Sequence, residues 1–434
     1  MPSPRAGLWQ IRPTNSFWSW LIASMVMIAS IRGIIVVHSS LPVQAVYFPV
    51  AAALLMLAIF GYFQRKAFKD QRLLLLKNLF KLNLLLGAVN VAVDLFLNAP
   101  LEFGLAYTFI APYVVFLFLR VPARYLHASI IVITVAIGYS VCTNFVDVMF
   151  DPYGYEKVFE YNLRLRPETF RALSHTEGVY RVGGYTGSYH DSANILGMAV
   201  SFFVIRYLWR RRILDLGLSL FAVLSMTLTQ SAANIAVAAF TVLIFAGYLL
   251  YSSRNTLSYV YLLLGVGGAA LLIAFFGDAM GVFVKRLGTE GDWEGMLSGL
   301  DTSLIWSKFG VILFGHAAAM GDVLTGIEVA HISLTGQLGI VHAAIVFGIM
   351  LYPLFSLVKA KGVPPDALAS AAAVFFGFMS LLHYNSVMKV TSFFLFFALY
   401  AICLKSILSR NDSQRISPAT GASSGSLPPT QARS

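Results

Sequence analysis

The chain has 434 residues, of which 58% are hydrophobic and only 12% charged, and its mean hydropathy is +0.74. A soluble domain carries about 25% charged residues, so this composition excludes a soluble globular protein and indicates a membrane protein. We ascribe the formal net charge of +11 to membrane topology and to attraction for anionic lipid. We therefore expect membrane lipid, and no nucleic acid, as a partner.

Apolar runs of membrane-spanning length follow a short cytoplasmic N-terminus, residues 1–15. Such runs cross the hydrocarbon core as helices, which satisfy their own backbone hydrogen bonds. We expect an all-α, polytopic transmembrane domain over residues 16–408 and a disordered cytoplasmic tail, rich in Ser, Pro and Gly, over 409–434. Twelve spans are predicted, at about 16–37, 43–63, 77–98, 101–119, 125–149, 192–208, 213–230, 232–251, 257–277, 332–356, 365–384 and 388–407.

The positions of Lys and Arg predict the orientation of these spans. Basic residues follow every even-numbered span, as at Arg120 and Arg124 and at 210–212. Both termini are therefore predicted to be cytoplasmic. Two long polar connections, at about 150–191 and 278–331, are predicted to lie together on the outer face. The two cysteines, Cys142 and Cys403, fall toward opposite ends of their spans, so we expect no disulfide between them.

The first long connection changes character along its length. Residues 156–174 mix apolar and charged side chains, which suits a short interfacial helix. A glycine-rich turn containing Gly184 follows, and glycine allows a backbone to approach a ligand closely. Ser192 or Asn194 is predicted to cap the helix of span six, whose N-terminal end would favour a bound anion.

The second long connection leads to the strongest candidate for catalysis. Residues 302–313 suit a short helix that cannot span a membrane, glycines recur over 315–326, and the connection ends at His331. An imidazole at the membrane surface can accept a proton from a sugar hydroxyl near neutral pH. His331 is therefore the predicted catalytic residue. The alternative is an interfacial histidine that hydrogen-bonds the loop.

Basic residues of the two connections are candidates for binding a diphosphate. Arginine binds phosphate oxygens through bidentate, charge-assisted hydrogen bonds. The alternative is a basic side chain that extends along the membrane edge toward water. The diphosphate candidates are Arg181, Arg286 and the adjacent Lys285, and the weaker candidates for substrate binding are Gly184, His190, Asn194, Arg171 and Tyr185.

The remaining histidines give weaker signals. No spacing around His175 and His190 supports a metal site, and we predict none. His342 and His383 lie within predicted spans, and we interpret them as packing or helix-bridging residues.

Several short motifs, in this order along the chain, resemble those of the bacterial O-antigen ligase and polymerase superfamily. Members of that superfamily handle polyprenyl-diphosphate-linked glycans. The resemblance covers about residues 180–350 and the layout of about a dozen spans. The matching segments are RVGG at 181–184 with NILG at 194–197, LTQS at 228–231, Arg286, the stretch from Trp306 to Gly315, and HISL at 331–334 with Gly339-Ile340.

The chain departs from the pattern at three places. Ala232 stands where an arginine often follows the serine, Ile332 stands where an asparagine commonly follows the histidine, and a loop arginine is missing around 301–303. These differences indicate a divergent branch of the superfamily.

The resemblance implies metal-independent, cofactor-free, inverting glycan transfer at the periplasmic face of the bacterial inner membrane. An acceptor hydroxyl would attack the sugar carbon that is bonded to the diphosphate. His331 would act as base or orient the acceptor, while Arg181 and Arg286 would neutralise the leaving group. The implied partners are a polyprenyl-diphosphate-linked glycan donor, a glycan or lipid A core acceptor, a polysaccharide chain-length regulator and a flippase.

Three functions remain open from the sequence. The first is a polymerase that joins lipid-linked repeat units of a surface or secreted polysaccharide, and the second is a ligase that moves a finished glycan to lipid A core. The third, from another class, is a flippase or transporter for a lipid-linked sugar. No strong internal repeat supports a transporter of the inverted-repeat type.

Overall fold

The computed structural model describes most of the predicted transmembrane domain. It covers residues 15–39, 43–63, 73–96, 111–150, 175–176, 179–180, 182–186, 189–253, 330–360, 363–382 and 390–416. Several predicted features lie outside the described residues. They are the predicted span at 257–277, the predicted short helices at 156–174 and 302–313, His383 and the tail beyond residue 416.

The described residues are almost entirely helical, as the sequence predicts. One antiparallel pair of two-residue strands, β1 (His175–Thr176) and β2 (Val179–Tyr180), lies in the first long connection. The helices are α1 (Ser16–Ser39), α2 (Val43–Phe63), α3 (Leu74–Phe96), α4 (Val114–Phe118), α5 (Ala123–Phe150), α6 (Tyr189–Arg210), α7 (Ile213–Leu228), α8 (Ala232–Ser253), α9 (Ala330–Leu338), α10 (Ile340–Val358), α11 (Pro365–Ser380) and α12 (Val390–Ile416).

Six of the described helices are long and apolar enough to cross a membrane, which makes this a polytopic membrane-embedded protein by length and composition. These spans lie in α1, α3, α5, α6, α10 and α12. Four further apolar segments, in α2, α7, α8 and α11, are shorter. Helix α7, with 16 residues, extends about 24 Å, which is less than the roughly 30 Å of a hydrocarbon core.

Several predicted spans differ from the helices that the chain forms. The span predicted from residue 192 begins earlier, at Tyr189. The span predicted at 332–356 is broken, because Gly339 has φ +79° and separates the short helix α9 from α10. Of the span predicted at 101–119, the described part contains a 3-10 turn, Ala111–Tyr113, and the five-residue helix α4.

Contacts between helices fix their relative directions. Helix α6 runs antiparallel to α11, since Arg206 and Arg210 near the end of α6 pair with Asp366 at the start of α11. Helix α7 runs parallel to α5, since Gly138 packs against Phe221 and Cys142 against Ser225. The directions of these helices agree with the alternating path that the sequence predicts, and they give the bundle two chemically different ends.

Small residues bring α6 and α11 together at the centre of the bundle. A Cβ atom at Gly197 would collide with the ring of Phe376, so only glycine permits this contact. On α11, the buried alanines at 367, 369 and 371–373 present little volume to their neighbours. In membranes such small residues allow close helix packing, and this pair of helices therefore forms a rigid support.

Charged side chains gather at one end of the bundle, which we call the basic end. Arg206 lies 3.5 Å from Asp215 and 3.4 Å from Asp366, and Arg210 lies 2.7 Å from Asp366, which ties α6 to α7 and α11. Nearby, the amine of Lys405 donates to the carbonyl oxygen of Val121. Removal of one partner from a buried ion pair typically costs about 3–5 kcal/mol because the other charge is left unpaired, so the charges of this network depend on one another.

Candidate functional site

Most of the described sequence motifs gather at the opposite end of the bundle, which we call the loop end. It is defined by Gly184, by the first turn of α6, by the turn at Thr229–Ser231 and by His331. Helix α5 ends there, α6 and α9 begin there, and α11 ends there. The residues that flank the two long polar connections therefore lie at one end, as the sequence predicts.

Gly184 forms a tight turn against α5. Its φ of +59° is in the left-handed region, which side chains other than glycine rarely adopt. An added Cβ atom would also lie 2.6 Å from Ser140 Oγ and 3.1 Å from Val141 Cγ2. The predicted glycine turn is present, but its tight contact is with helix α5.

A hydroxyl cluster fixes the entry to α6. Thr186 Oγ1 donates to the carbonyl oxygen of Gly183 at 2.9 Å, and Ser192 Oγ donates to the same carbonyl oxygen. The two hydroxyl oxygens lie 2.8 Å apart. The prediction that Ser192 or Asn194 caps this helix is wrong, because the helix begins at Tyr189 and both residues lie inside it.

The first two turns of α6 bury three further polar residues. His190, Asp191 and Asn194 are 6%, 4% and 0% exposed. A carboxylate in the first turn complements the helix dipole by itself, so Asp191 weakens the predicted preference of this helix end for an anion. Among the described residues, neither side-chain amide atom of Asn194 has a hydrogen-bond partner. Its role in substrate binding stays a prediction.

The LTQS segment forms the connection between α7 and α8 at the same end. Thr229 Oγ1 donates to the carbonyl oxygen of Met226 at 2.6 Å, and Asn234 Nδ2 donates to Ser231 Oγ at 3.0 Å. Gln230 has a positive φ of +54°. These local bonds make the segment a compact turn whose polar groups are largely engaged within it.

His331 lies in the first turn of α9, packed between two aromatic rings. Its ring centroid is 5.1 Å from that of Phe347 on α10 and 4.9 Å from that of Phe378 on α11. Its backbone N–H donates to the carbonyl oxygen of Leu381 at 3.3 Å. Its Nδ1 atom is buried and has no hydrogen-bond partner among the described residues. The pKa of the imidazole is lowered by burial, an effect that a hydrogen bond to the backbone of Leu381 partly opposes.

His331 and the first turn of α6 flank the same end of α11 from different sides. Gly197 of α6 packs against Phe376, whereas His331 packs against Phe378. These two positions project about 200° apart on an α-helix. The last turn of α11 therefore lies between the two groups of candidates. Both groups are at the loop end, but they are not in direct contact through these two faces of α11.

Four predicted binding residues fall outside the described part of the chain. They are Arg171, Arg181, Lys285 and Arg286. For Tyr185 the structure describes only the backbone, which lies in a short 3-10 turn. Their roles stay predictions. Among the described residues, no group of three His, Cys, Asp or Glu side chains could hold a metal ion.

The structure also contains two polar clusters within the bundle. His342 bridges helices, as predicted, through Asn83 and Asn90 of α3. Sequence reasoning missed the network of Arg206, Asp215 and Asp366. The signal available for it was a charge inside the apolar run of span six, since charges within a span rarely lack a partner.

Comparison with known proteins does not add an identification. No family model and no curated protein matches this chain.

Proposed function

We propose that this chain is an inner-membrane glycan transferase that acts on a polyprenyl-diphosphate-linked donor at the periplasmic face, as a polymerase of polysaccharide repeat units. The observation that carries the proposal is the gathering of the described motif residues at the loop end. His331, the Gly184 turn with the first turn of α6, and the turn at Thr229–Ser231 come from three separate regions of the sequence and lie at one end of the bundle.

The surroundings of His331 suit a general base. Burial lowers the pKa of its imidazole, so the ring is neutral at neutral pH and is free to accept a proton. A base must be neutral before it can take a proton from an attacking hydroxyl. The Nδ1 atom has no hydrogen-bond partner among the described residues, which supports a role as proton acceptor.

The proposed reaction is a single displacement. The acceptor hydroxyl oxygen forms a bond to the anomeric carbon while the bond from that carbon to the diphosphate oxygen breaks, which inverts the configuration. His331 takes the hydroxyl proton, and polyprenyl diphosphate leaves with the bonding electron pair. Arg181, Lys285 and Arg286 are the proposed partners of that negative charge, which begins to build on the leaving group in the transition state. No metal ion takes part.

The test uses purified protein in liposomes that contain a polyprenyl-diphosphate-linked repeat unit and a chelator of divalent metals. Lipid A core is supplied in one arm and withheld in the other. The proposal predicts longer lipid-linked glycans and released polyprenyl diphosphate in both arms. Transfer that occurs only with lipid A core would show that the protein is a ligase and not a polymerase. Movement of the donor between leaflets without release of diphosphate would replace the enzyme by a flippase.

A further inference from the structure

The helix break at Gly339 leaves backbone carbonyl groups without the partners that a continuous helix would provide. The last four carbonyl groups of a helix have no partner within that helix, and here the last residue, Leu338, is fully buried. The N–H of Gly339 donates to the carbonyl oxygen of Thr335 at 2.8 Å. The carbonyl of Leu338 requires a partner from another helix.

Asn90 of α3 supplies that partner. Its Nδ2 atom lies 3.4 Å from the carbonyl oxygen of Leu338 and 3.2 Å from Nδ1 of His342. A side-chain amide has two N–H donors, which match these two acceptors. One residue of α3 therefore contacts the end of α9 and the first turn of α10, on both sides of the break.

His342 completes the cluster through its second ring nitrogen. Nε2 lies 2.9 Å from Oδ1 of Asn83, which can only accept, so the ring proton is on Nε2. Nδ1 is then the acceptor for Asn90. All three side chains are buried, with Asn83, Asn90 and His342 at 0%, 7% and 2% exposed. We call these three residues the Asn–His–Asn cluster.

Helix α9 transmits the position of the break to His331. It has only nine residues, and helices shorter than about 12–15 residues depend on tertiary contacts for their stability. One end is fixed by Asn90 at Leu338, and the other by the backbone bond from His331 to Leu381. Loss of the first contact allows the helix to tilt about the second, which turns the imidazole relative to Phe347 and Phe378.

We infer that Asn90, held in place through His342 and Asn83, is a positioning residue that fixes His331 for transfer by bonding both sides of the helix break at Gly339. This inference rests on the proposed function, in which His331 is the base. Asn90 does not touch the reacting atoms and acts through α9. A misplacement of about 1 Å in a catalytic group can cost about 100-fold in rate, so the cluster matters for chemistry beyond its contribution to stability.

The test compares Asn90→Leu with a matched control, Tyr400→Phe. Tyr400 also donates from a buried side chain to a carbonyl oxygen of α10, that of Ile349 at 2.8 Å, but it does so away from the break. Asn90→Gln retains an amide and serves as the conservative variant. Each protein is purified in detergent, and its folded fraction is measured by thermal unfolding before any comparison.

The first readout is the NMR titration of histidine ring signals, with His331 assigned by the signal that His331→Gln removes. We expect the His331 signal and its pKa to move in Asn90→Leu, to return toward wild type in Asn90→Gln and to stay unchanged in Tyr400→Phe. An unchanged His331 signal in folded Asn90→Leu overturns the inference. An equal displacement in Tyr400→Phe also overturns it, because the effect would then be one of general loosening.

The second readout is transfer kinetics with the lipid-linked donor. We expect kcat to fall about 10- to 100-fold in Asn90→Leu, with little change in KM for the donor and normal kcat in Tyr400→Phe. If KM rises and kcat stays normal, the positioning role is wrong. If wild-type protein transfers no glycan, the proposed function fails while the NMR result still decides whether Asn90 fixes His331.

Discussion

Two of the candidate residues at the loop end have buried polar atoms without a hydrogen-bond partner among the described residues. They are His331, through its Nδ1 atom, and Asn194, through both atoms of its amide. Buried polar groups in native proteins are nearly always satisfied, and the exceptions often have a functional role. At the scale of single residues, these two are candidates for a direct role in binding or catalysis.

Asn194→Leu separates function from stability. Replacing a buried, unsatisfied amide by an apolar group of similar shape is nearly neutral or stabilising, so we expect an unfolding temperature equal to or above that of wild type. If Asn194 binds substrate, transfer falls in the same variant. Thermal unfolding and a transfer assay on one preparation check both. A less stable protein with normal transfer would assign Asn194 to the structure alone.

The pH dependence of transfer follows from the lowered pKa of His331. Because the folded-state pKa is below the unfolded value of about 6.5, the base stays neutral at neutral pH and is protonated only in more acidic solution. We expect a rate that is flat above about pH 6.5 and falls on acidification. The unfolded chain binds this proton more readily, so stability also falls as the pH drops below the unfolded pKa. A rate that rises on acidification would contradict the assignment of His331 as base.

Residue types were easier to predict than their surroundings. The helix-bridging role of His342 followed from a polar residue within an apolar span, whereas its partners Asn83 and Asn90 are about 250 residues away in sequence and no local pattern connects them. The aromatic contacts of His331 arise in the same way, because Phe347 and Phe378 come from helices that meet only in the folded bundle.

At the scale of elements, a single glycine determines how His331 is presented. Hydropathy predicts one span over 332–356, and the apolar residues continue across the break without interruption. Gly339 ends α9 because its φ of +79° is incompatible with a continuous helix. Hydropathy also misplaces the start of α6. The first turn of this helix is polar, and the helix begins three residues earlier than predicted.

Gly339→Ala tests the importance of the break, with Gly348→Ala as its matched control. An alanine held at the left-handed φ of Gly339 costs about 1–3 kcal/mol, so we expect lower stability and lower transfer. Gly348 lies in α10 with nothing within 4 Å of an added Cβ atom, and there alanine stabilises a helix by about 0.5–1 kcal/mol. Thermal unfolding and transfer rates check both variants. Equal behaviour of the two would show that the break is dispensable.

At the scale of the whole molecule, the two ends of the bundle differ in charge and in chemistry. The basic end carries Arg206, Arg210 and Lys405, and the loop end carries His331 and the polar start of α6. Positive residues favour the cytoplasmic side. Lys and Arg positions predict the orientation without tertiary information, and that orientation stays a prediction, whereas the count of twelve spans depends on segment ends that hydropathy locates poorly.

Single-cysteine labelling tests the sidedness of the bundle. In a protein whose Cys142 and Cys403 are replaced by alanine, Phe150→Cys reports on the loop end and Ser409→Cys on the basic end. We expect an impermeant maleimide added to spheroplasts to label position 150 directly and position 409 only after the membrane is permeabilised. The reverse pattern would place the loop end in the cytoplasm and remove the proposed periplasmic site.

We propose that His331 carries out glycan transfer at the loop end. The most direct measurement is the release of polyprenyl diphosphate by purified His331→Ala in liposomes that hold the lipid-linked donor, beside His127→Ala, which changes a partly buried histidine that packs against Phe202 toward the basic end. We expect His331→Ala to be folded and to lose at least about 100-fold in rate, while His127→Ala, at equal folded fraction, transfers normally. Transfer at the wild-type rate by folded His331→Ala would contradict a catalytic role for His331.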